Sequence, residues 1–436
     1  MEEDSRVDER GPDRVNLLLL RLVFLLWLAA MPLMLTGEGP PPGTLRAKVR
    51  LAVAGDTFNF LGWTLGTVVD KLTFPLVAPQ RYMDEAARRD FFLDYLRLTA
   101  AAQALSQRIE WLYADPEVSD PAAEAAPLRD TLARYRRELA YRRPIVEAIL
   151  QEQTASVLYD AGFGALGQVW PPVNDRLTAL PTMLVVSPRD HIENIFSLPL
   201  RHGMDAARRE EIEAQVDEAA DVSSLVTDIG GLSTSPAMLL EINSLVWLTN
   251  VSAHEWTHIY LLPYPLGRDY GSSPDSLTIN ETVASIVGEE IGWRTMFRYY
   301  PALLPAPTPP SAPSEPTAPP QFDFRQEMRR TRIHVDDLLA QGQIAAAERY
   351  MEERRQVFVA HGYRIRKLNQ AYFAFHGSYA SKPGAAGEDP VGPAVLRLRA
   401  RSPNLHAFVT QVAHVTTLAE LRELLGEPSA PESTPR

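Results

Sequence analysis

The sequence predicts an α+β fold that is mostly helix, with an apolar helix at its N-terminus. Three observations carry this. Residues 83–113 and 127–161 are rich in Ala, Leu, Arg and Glu and keep a helical period. Strand signals are few and short: Thr182-Met183-Leu184-Val185-Val186, ended by Ser187-Pro188, and Ser223 to Asp228, followed by Gly230-Gly231. Residues 15–35 are apolar apart from Asn16 and Arg21, which is enough chain to span a bilayer.

Taken in order, residues 1–14 read as a charged leader and 15–36 as a transmembrane anchor. Gly39-Pro40-Pro41-Pro42-Gly43 marks a linker over 37–49. The expectation is a single-pass membrane protein, bound to the lipid bilayer through this helix, with the rest of the chain on the outer side. Residues 50–175 read as a helical region. Its first part, 50–79, carries Asp56, Asp70 and Lys71 among aromatics and suits an amphipathic helix rather than a second span. Its later part is a helical hairpin broken between Asp115-Pro116 and Pro127. Residues 176–300 form the central core. Within it, Asp205 to Ala220 is a charged surface helix, and Val226 to Ser235 is either an edge strand or a strand and turn leading into the next helix. Residues 301–320 hold nine prolines and read as a linker. Residues 321–425 form a C-terminal helical region, with helices at Phe324 to Ala340 and Ile344 to Gly362 and apolar segments at 368–375 and 405–415. The end, 426–436, reads as a frayed tail.

Composition narrows the chemistry. The 436 residues carry a formal net charge of -12, so no basic footprint for nucleic acid is present. There is no cysteine, which excludes disulfides, thiol catalysis and Cys-type zinc sites. Hydrophobic residues make up 45%, ample for a large core.

The most specific signal is His254-Glu255-Trp256-Thr257-His258, an HExxH motif. It lies in an apolar helix expected from Met238 to Leu262 and stopped by Pro263. Histidines at i and i+4 share one helix face and can hold one Zn²⁺, with Glu255 beside it as general base. A catalytic zinc needs a third protein ligand and an open position. Glu281 is the candidate, on a second helix expected to start near Thr278, whose apolar positions Ile279, Val283, Ile286, Val287 and Ile291 keep a 3.6 period. Ala284, Ser285 and Gly288 would form a small-residue stripe beside it, letting the two helices approach closely. The competing reading makes Thr278-x-x-Glu281 a capping box. The other histidines have no ligand spacing.

The arrangement resembles the gluzincins, zinc peptidases in which HExxH is followed by a helix carrying a ligand glutamate, often as Asn-Glu-x-x-Ala. Asn280-Glu281-Thr282-Val283-Ala284 matches that pattern. The stretch 275–289 looks more particularly like a bacterial family of predicted zinc aminopeptidases. Ser233-Thr234, Asn369-Gln370-Ala371 and Ser378-Tyr379 are weaker echoes. Thermolysin-like members carry an aspartate where this chain has Ser285, so the group that orients a ligand histidine must come from elsewhere.

The resemblance implies a zincin-like core, a bound Zn²⁺ held by His254, His258 and Glu281, and a peptide or protein substrate. It also implies a Tyr or His stabilising the oxyanion, for which Tyr379 is the candidate, with Tyr372 and His376 nearby. Trimming of N-termini and internal cutting both stay open. An aminopeptidase needs a carboxylate for the free α-amine, and Asp228, Glu241 and Glu289 are the candidates. The alternative is a zinc-stabilised membrane scaffold that no longer catalyses.

Overall fold

The computed structural model describes residues 41, 43–60, 62–64, 66–67, 78–115, 117–165, 167–304, 322–377 and 390–427. Two compact units divide the chain, Met1–Ala52 and Val53–Arg436. In the first, helix α1 spans Leu45–Ala52. The second unit holds all the other described elements.

Two long helices, α2 (Glu85–Ala114) and α3 (Pro121–Leu158), pair as the expected hairpin. Asp84 and Asp120 cap their N-termini, each accepting a hydrogen bond from a backbone amide three residues on. Pro121 occupies the first turn of α3, where its missing N–H costs nothing. Two short strands follow, β1 (Gly164–Ala165) and β2 (Gln168–Val169), paired antiparallel. Then come β3 (Asp175–Thr178), β4 (Thr182–Ser187), β5 (Phe196–Leu200), helix α4 (Ala206–Ala220), β6 (Ser223–Asp228), β7 (Gly231–Leu232) and β8 (Ala237–Leu240).

Strand order is β5-β4-β6 in one sheet, antiparallel throughout, and β3-β8-β7 in the other. In the second sheet β3 runs parallel to β8 and β7 antiparallel to it. No described strand pairs with the outer side of β7.

The centre of the unit is an antiparallel helix pair, α5 (Leu245–Leu261) and α7 (Pro274–Tyr299), joined through the short helix α6 (Pro265–Arg268). Gly288 permits their close approach: a Cβ there would lie 2.8 Å from Asn250 O and 3.1 Å from His254 Cβ. Ile279, Val283, Val287 and Ile291 of α7 are fully buried, as their period predicts. Each contributes about 1.5–3 kcal/mol of burial energy.

After the proline-rich stretch come α8 (Phe324–Ala340), α9 (Ile344–Ala360), α10 (Gln370–Gly377), α11 (Val391–Arg401), α12 (Leu405–Val412) and α13 (Leu418–Leu424). One hydrophobic core joins the C-terminal half of α5 and the N-terminal half of α7 to α11, α12 and α13. Another joins the opposite ends of α5 and α7 to α2, α3, β3 and β8.

Among the described residues the helical majority with small sheets matches the expected class. Three expectations change. Residues 237–240 form β8, so α5 starts seven residues later than Met238, where Ser244 caps it. Helix α7 starts at Pro274, not near Thr278, and its capping box is Ser273 with Ser276. The membrane assignment is corrected: no described helix is long and apolar enough to cross a membrane. Helices α2 and α3 have the length but carry charges throughout, and apolar α5 has only 17 residues, about 25 Å of helix. The predicted anchor, 15–36, lies outside the described residues, as do the leader, residues 305–321 of the proline-rich stretch and the tail from 428.

Candidate metal centre

The helical period places His254 and His258 on one face of α5, and α7 brings Glu281 against that face. One ligand atom from each of the three lies within 4.8 Å of the others. The Nε2 atoms of His254 and His258 are 3.1 Å apart. Glu281 Oε2 lies 3.4 Å from His254 Nε2 and 3.7 Å from His258 Nε2. Tetrahedral ligands at about 2.0–2.1 Å from Zn²⁺ stand about 3.3 Å apart, so this triangle has the right edge lengths. Glu281 Oε2 is also buried without a hydrogen-bond donor. A carboxylate oxygen in that state is costly unless a cation satisfies it. The donor set and the orphaned oxygen therefore fit a zinc ion.

Asn280 supplies the orienting group that Ser285 does not. Its Oδ1 lies 2.6 Å from His258 Nδ1, and its Nδ2 donates to Leu266 O at 3.0 Å. The Leu266 carbonyl fixes which way the amide points. His258 must then carry its proton on Nδ1, leaving the Nε2 lone pair aimed at the cluster. Tyr270 donates its hydroxyl to Glu281 Oε1 at 2.5 Å and sets its ring edge-on to His258. It is 50% exposed, so it lies at the rim of the site. Burial pushes the Glu281 carboxyl up, but His258, His254 and Tyr270 outweigh burial and hold it down at about 2.

Glu255 is 5% exposed. Burial pushes its carboxyl up to about 7, against the pull of His258 and of a hydrogen bond from Ser233, and the nearby Glu281 charge adds to the rise. Ser233 Oγ donates to Oε2. Gly231 lies against the other oxygen: a Cβ there would overlap Oε1. The β7 strand thus runs directly over the HExxH glutamate. Leu240 N donates to Gly230 O at 3.2 Å, so Gly230 and Leu232 face β8, and the amide and carbonyl of Gly231 point to the open edge.

The capping-box reading of Glu281 fails, because Glu281 sits in the second turn of α7 and Ser273 does the capping. Tyr379 lies outside the described residues. Tyr372 and His376 pack on each other on α10 and are not in the cluster. Of the amine-binding candidates, Asp228 pairs with Arg209, and Glu241 with Arg143 and Tyr95. Glu289 does not join the cluster either. Tyr270, Asn280, Ser233 and Gly231 are the residues that motif reading passed over. Asn280 stood inside Asn-Glu-x-x-Ala, and Gly231 and Ser233 inside the segment expected as an edge strand, so three of the four had a signal.

No protein-family model, curated protein or solved structure matches the chain.

Proposed function

We propose that this protein is a zinc-dependent peptidase of gluzincin-like design, with a zincin-like arrangement of edge strand and active helix. The observation that carries the reading is the His254–His258–Glu281 triangle with a buried, donor-less Glu281 Oε2, set beside a buried glutamate. His254 Nε2, His258 Nε2 and Glu281 Oε2 would hold the ion, leaving a fourth position open. A bound Zn²⁺ supplies a Lewis acid that lowers the pKa of water and polarises a carbonyl.

The chain's own residues do the rest. An extended peptide pairs its backbone with Gly231 on the open edge of β7, which lays it across Glu255. Glu255 takes a proton from the attacking water as the oxygen–carbon bond forms, and delivers it to the amide nitrogen as the carbon–nitrogen bond breaks. Tyr270, whose hydroxyl is given to Glu281 Oε1, holds that ligand carboxylate in place at the rim of the site. Asp228 and Glu241 are each held by an arginine, so neither is assigned to a substrate α-amine.

The test is metal content together with digestion of a peptide library by the full chain and by Glu255→Gln. The expected result is about one zinc per chain in both proteins and hydrolysis by the wild type only. Zinc in both with no hydrolysis by either would move the reading to a zinc-stabilised scaffold.

A further inference from the structure

We propose that Ser233 is a positioning residue for Glu255 and divides the two carboxylate oxygens between a fixed and a reactive role. The proposal rests on the peptidase reading above. Ser233 Oγ donates to Oε2, while Oε1 faces the bare Cα of Gly231. A glutamate's terminal torsion is broad and two-fold, so burial alone does not choose which oxygen points where. One fixed donor does. Oε2 is anchored, and Oε1 is the oxygen that accepts the water proton and returns it to the leaving amine.

The geometry of the segment explains why both neighbours sit where they do. The chain turns at Ser233, where Thr234 N donates to Leu232 O at 2.8 Å. Gly231 and Ser233 both meet Glu255, one leaving room for Oε1 and the other reaching Oε2. Ser233 directly follows β7 (Gly231–Leu232), the strand whose open edge would pair with substrate. The orientation of the base is thus tied to the strand that receives the peptide, and a shift of β7 moves both.

The experiment uses the full chain with Ser233→Ala and Ser233→Thr, and Ser233→Ala repeated in a Glu255→Gln background. Three quantities are read: zinc per chain, the affinity of zinc-loaded protein for acetohydroxamate by calorimetry, and kcat and KM on a library peptide that the wild type cuts. A hydroxamate gives its proton to the base when it binds, so it reports on Glu255 without turnover. Ser233→Ala should keep its zinc, lose about 10–100-fold in kcat with little change in KM, and weaken acetohydroxamate about tenfold. Ser233→Thr, which keeps the hydroxyl, should restore both. In the Glu255→Gln background Ser233→Ala should have no further effect on acetohydroxamate. Unchanged acetohydroxamate affinity in Ser233→Ala, or an equal loss in both backgrounds, would overturn the proposal. A wild type that binds zinc but cuts nothing overturns the peptidase reading and with it the proton-transfer role of Oε1, while the acetohydroxamate cycle still decides whether Ser233 positions Glu255. A wild type that binds no zinc overturns both.

Discussion

Asn280 fixes the tautomer of His258: its Oδ1 sits 2.6 Å from Nδ1, and the Leu266 carbonyl prevents the amide from turning over. Without that acceptor the imidazole is free to rotate and to place its proton on the metal-binding nitrogen. Asn280→Ala should weaken zinc binding about 10–100-fold, and Asn280→Asp, which keeps the acceptor, should recover most of it. Competition with a chromogenic chelator measures both. Equal affinity in wild type and alanine variant would remove Asn280 from the site.

Glu281 and Ser273 separate ligand from cap. Glu281→Ala should lose stoichiometric zinc, because only two protein ligands remain. Ser273→Ala should keep it and cost about 1 kcal/mol of stability through the lost capping box. Metal analysis and urea unfolding of the two variants are enough. Retained zinc in Glu281→Ala would return that residue to a structural role.

Gly288 governs the spacing of the helix pair. Gly288→Ala adds a methyl 2.8 Å from Asn250 O and 3.1 Å from His254 Cβ, and the first neighbour is backbone, which cannot swing away. The helices must separate, at a cost of about 1–3 kcal/mol. Because one of the atoms crowded belongs to His254, zinc affinity should fall along with stability. A variant with lower stability and unchanged zinc affinity would show that the strain relaxes away from the metal ligands.

Arg366 guards a buried carboxylate. Glu213 is 1% exposed, accepts the Val226 amide and is held bidentately by Arg366, which also donates to Val226 O. Arg366→Ala strips the bidentate partner from a buried charge that Lys367, 3.4 Å from Oε2, compensates only in part, and should destabilise by up to about 3 kcal/mol. Arg366→Ala combined with Glu213→Gln should recover part of the loss, because the remaining side chain is neutral. Urea unfolding of the single and double variants measures this, and a double variant weaker than Arg366→Ala would contradict it.

How much of this was readable from sequence depended on distance along the chain. His254, Glu255 and His258 lie within two helical turns, so their shared face follows from the period alone. Glu281 needed only a second periodic helix and a turn. Residues 237–240 were misread because an apolar run of four satisfies both a strand and a helix period. Helix α7 begins earlier than the apolar period from Ile279 indicates, because Ser273-Pro274, a cap followed by proline, sets the boundary a full turn upstream. The contact of Ser233 with Glu255 and of Tyr270 with Glu281 depends on how loops fold back on the helices. No local pattern encodes that path.

The two hydrophobic cores grip opposite ends of the helix pair, and this sets an order of events during synthesis. The end of α5 that carries His254 and His258, with the end of α7 that carries Glu281, belongs to the core completed by α11, α12 and α13. A ribosome that has reached residue 300 has already made every proposed metal ligand, the base and the strand above it. Residues 157–173 already cover part of the apolar faces behind those ligands, and residues 391–425 cover the remainder. The centre is written in the middle of the chain and its core is closed by a later segment, so a nascent chain stopped at residue 300 holds the site with one wall of that core missing.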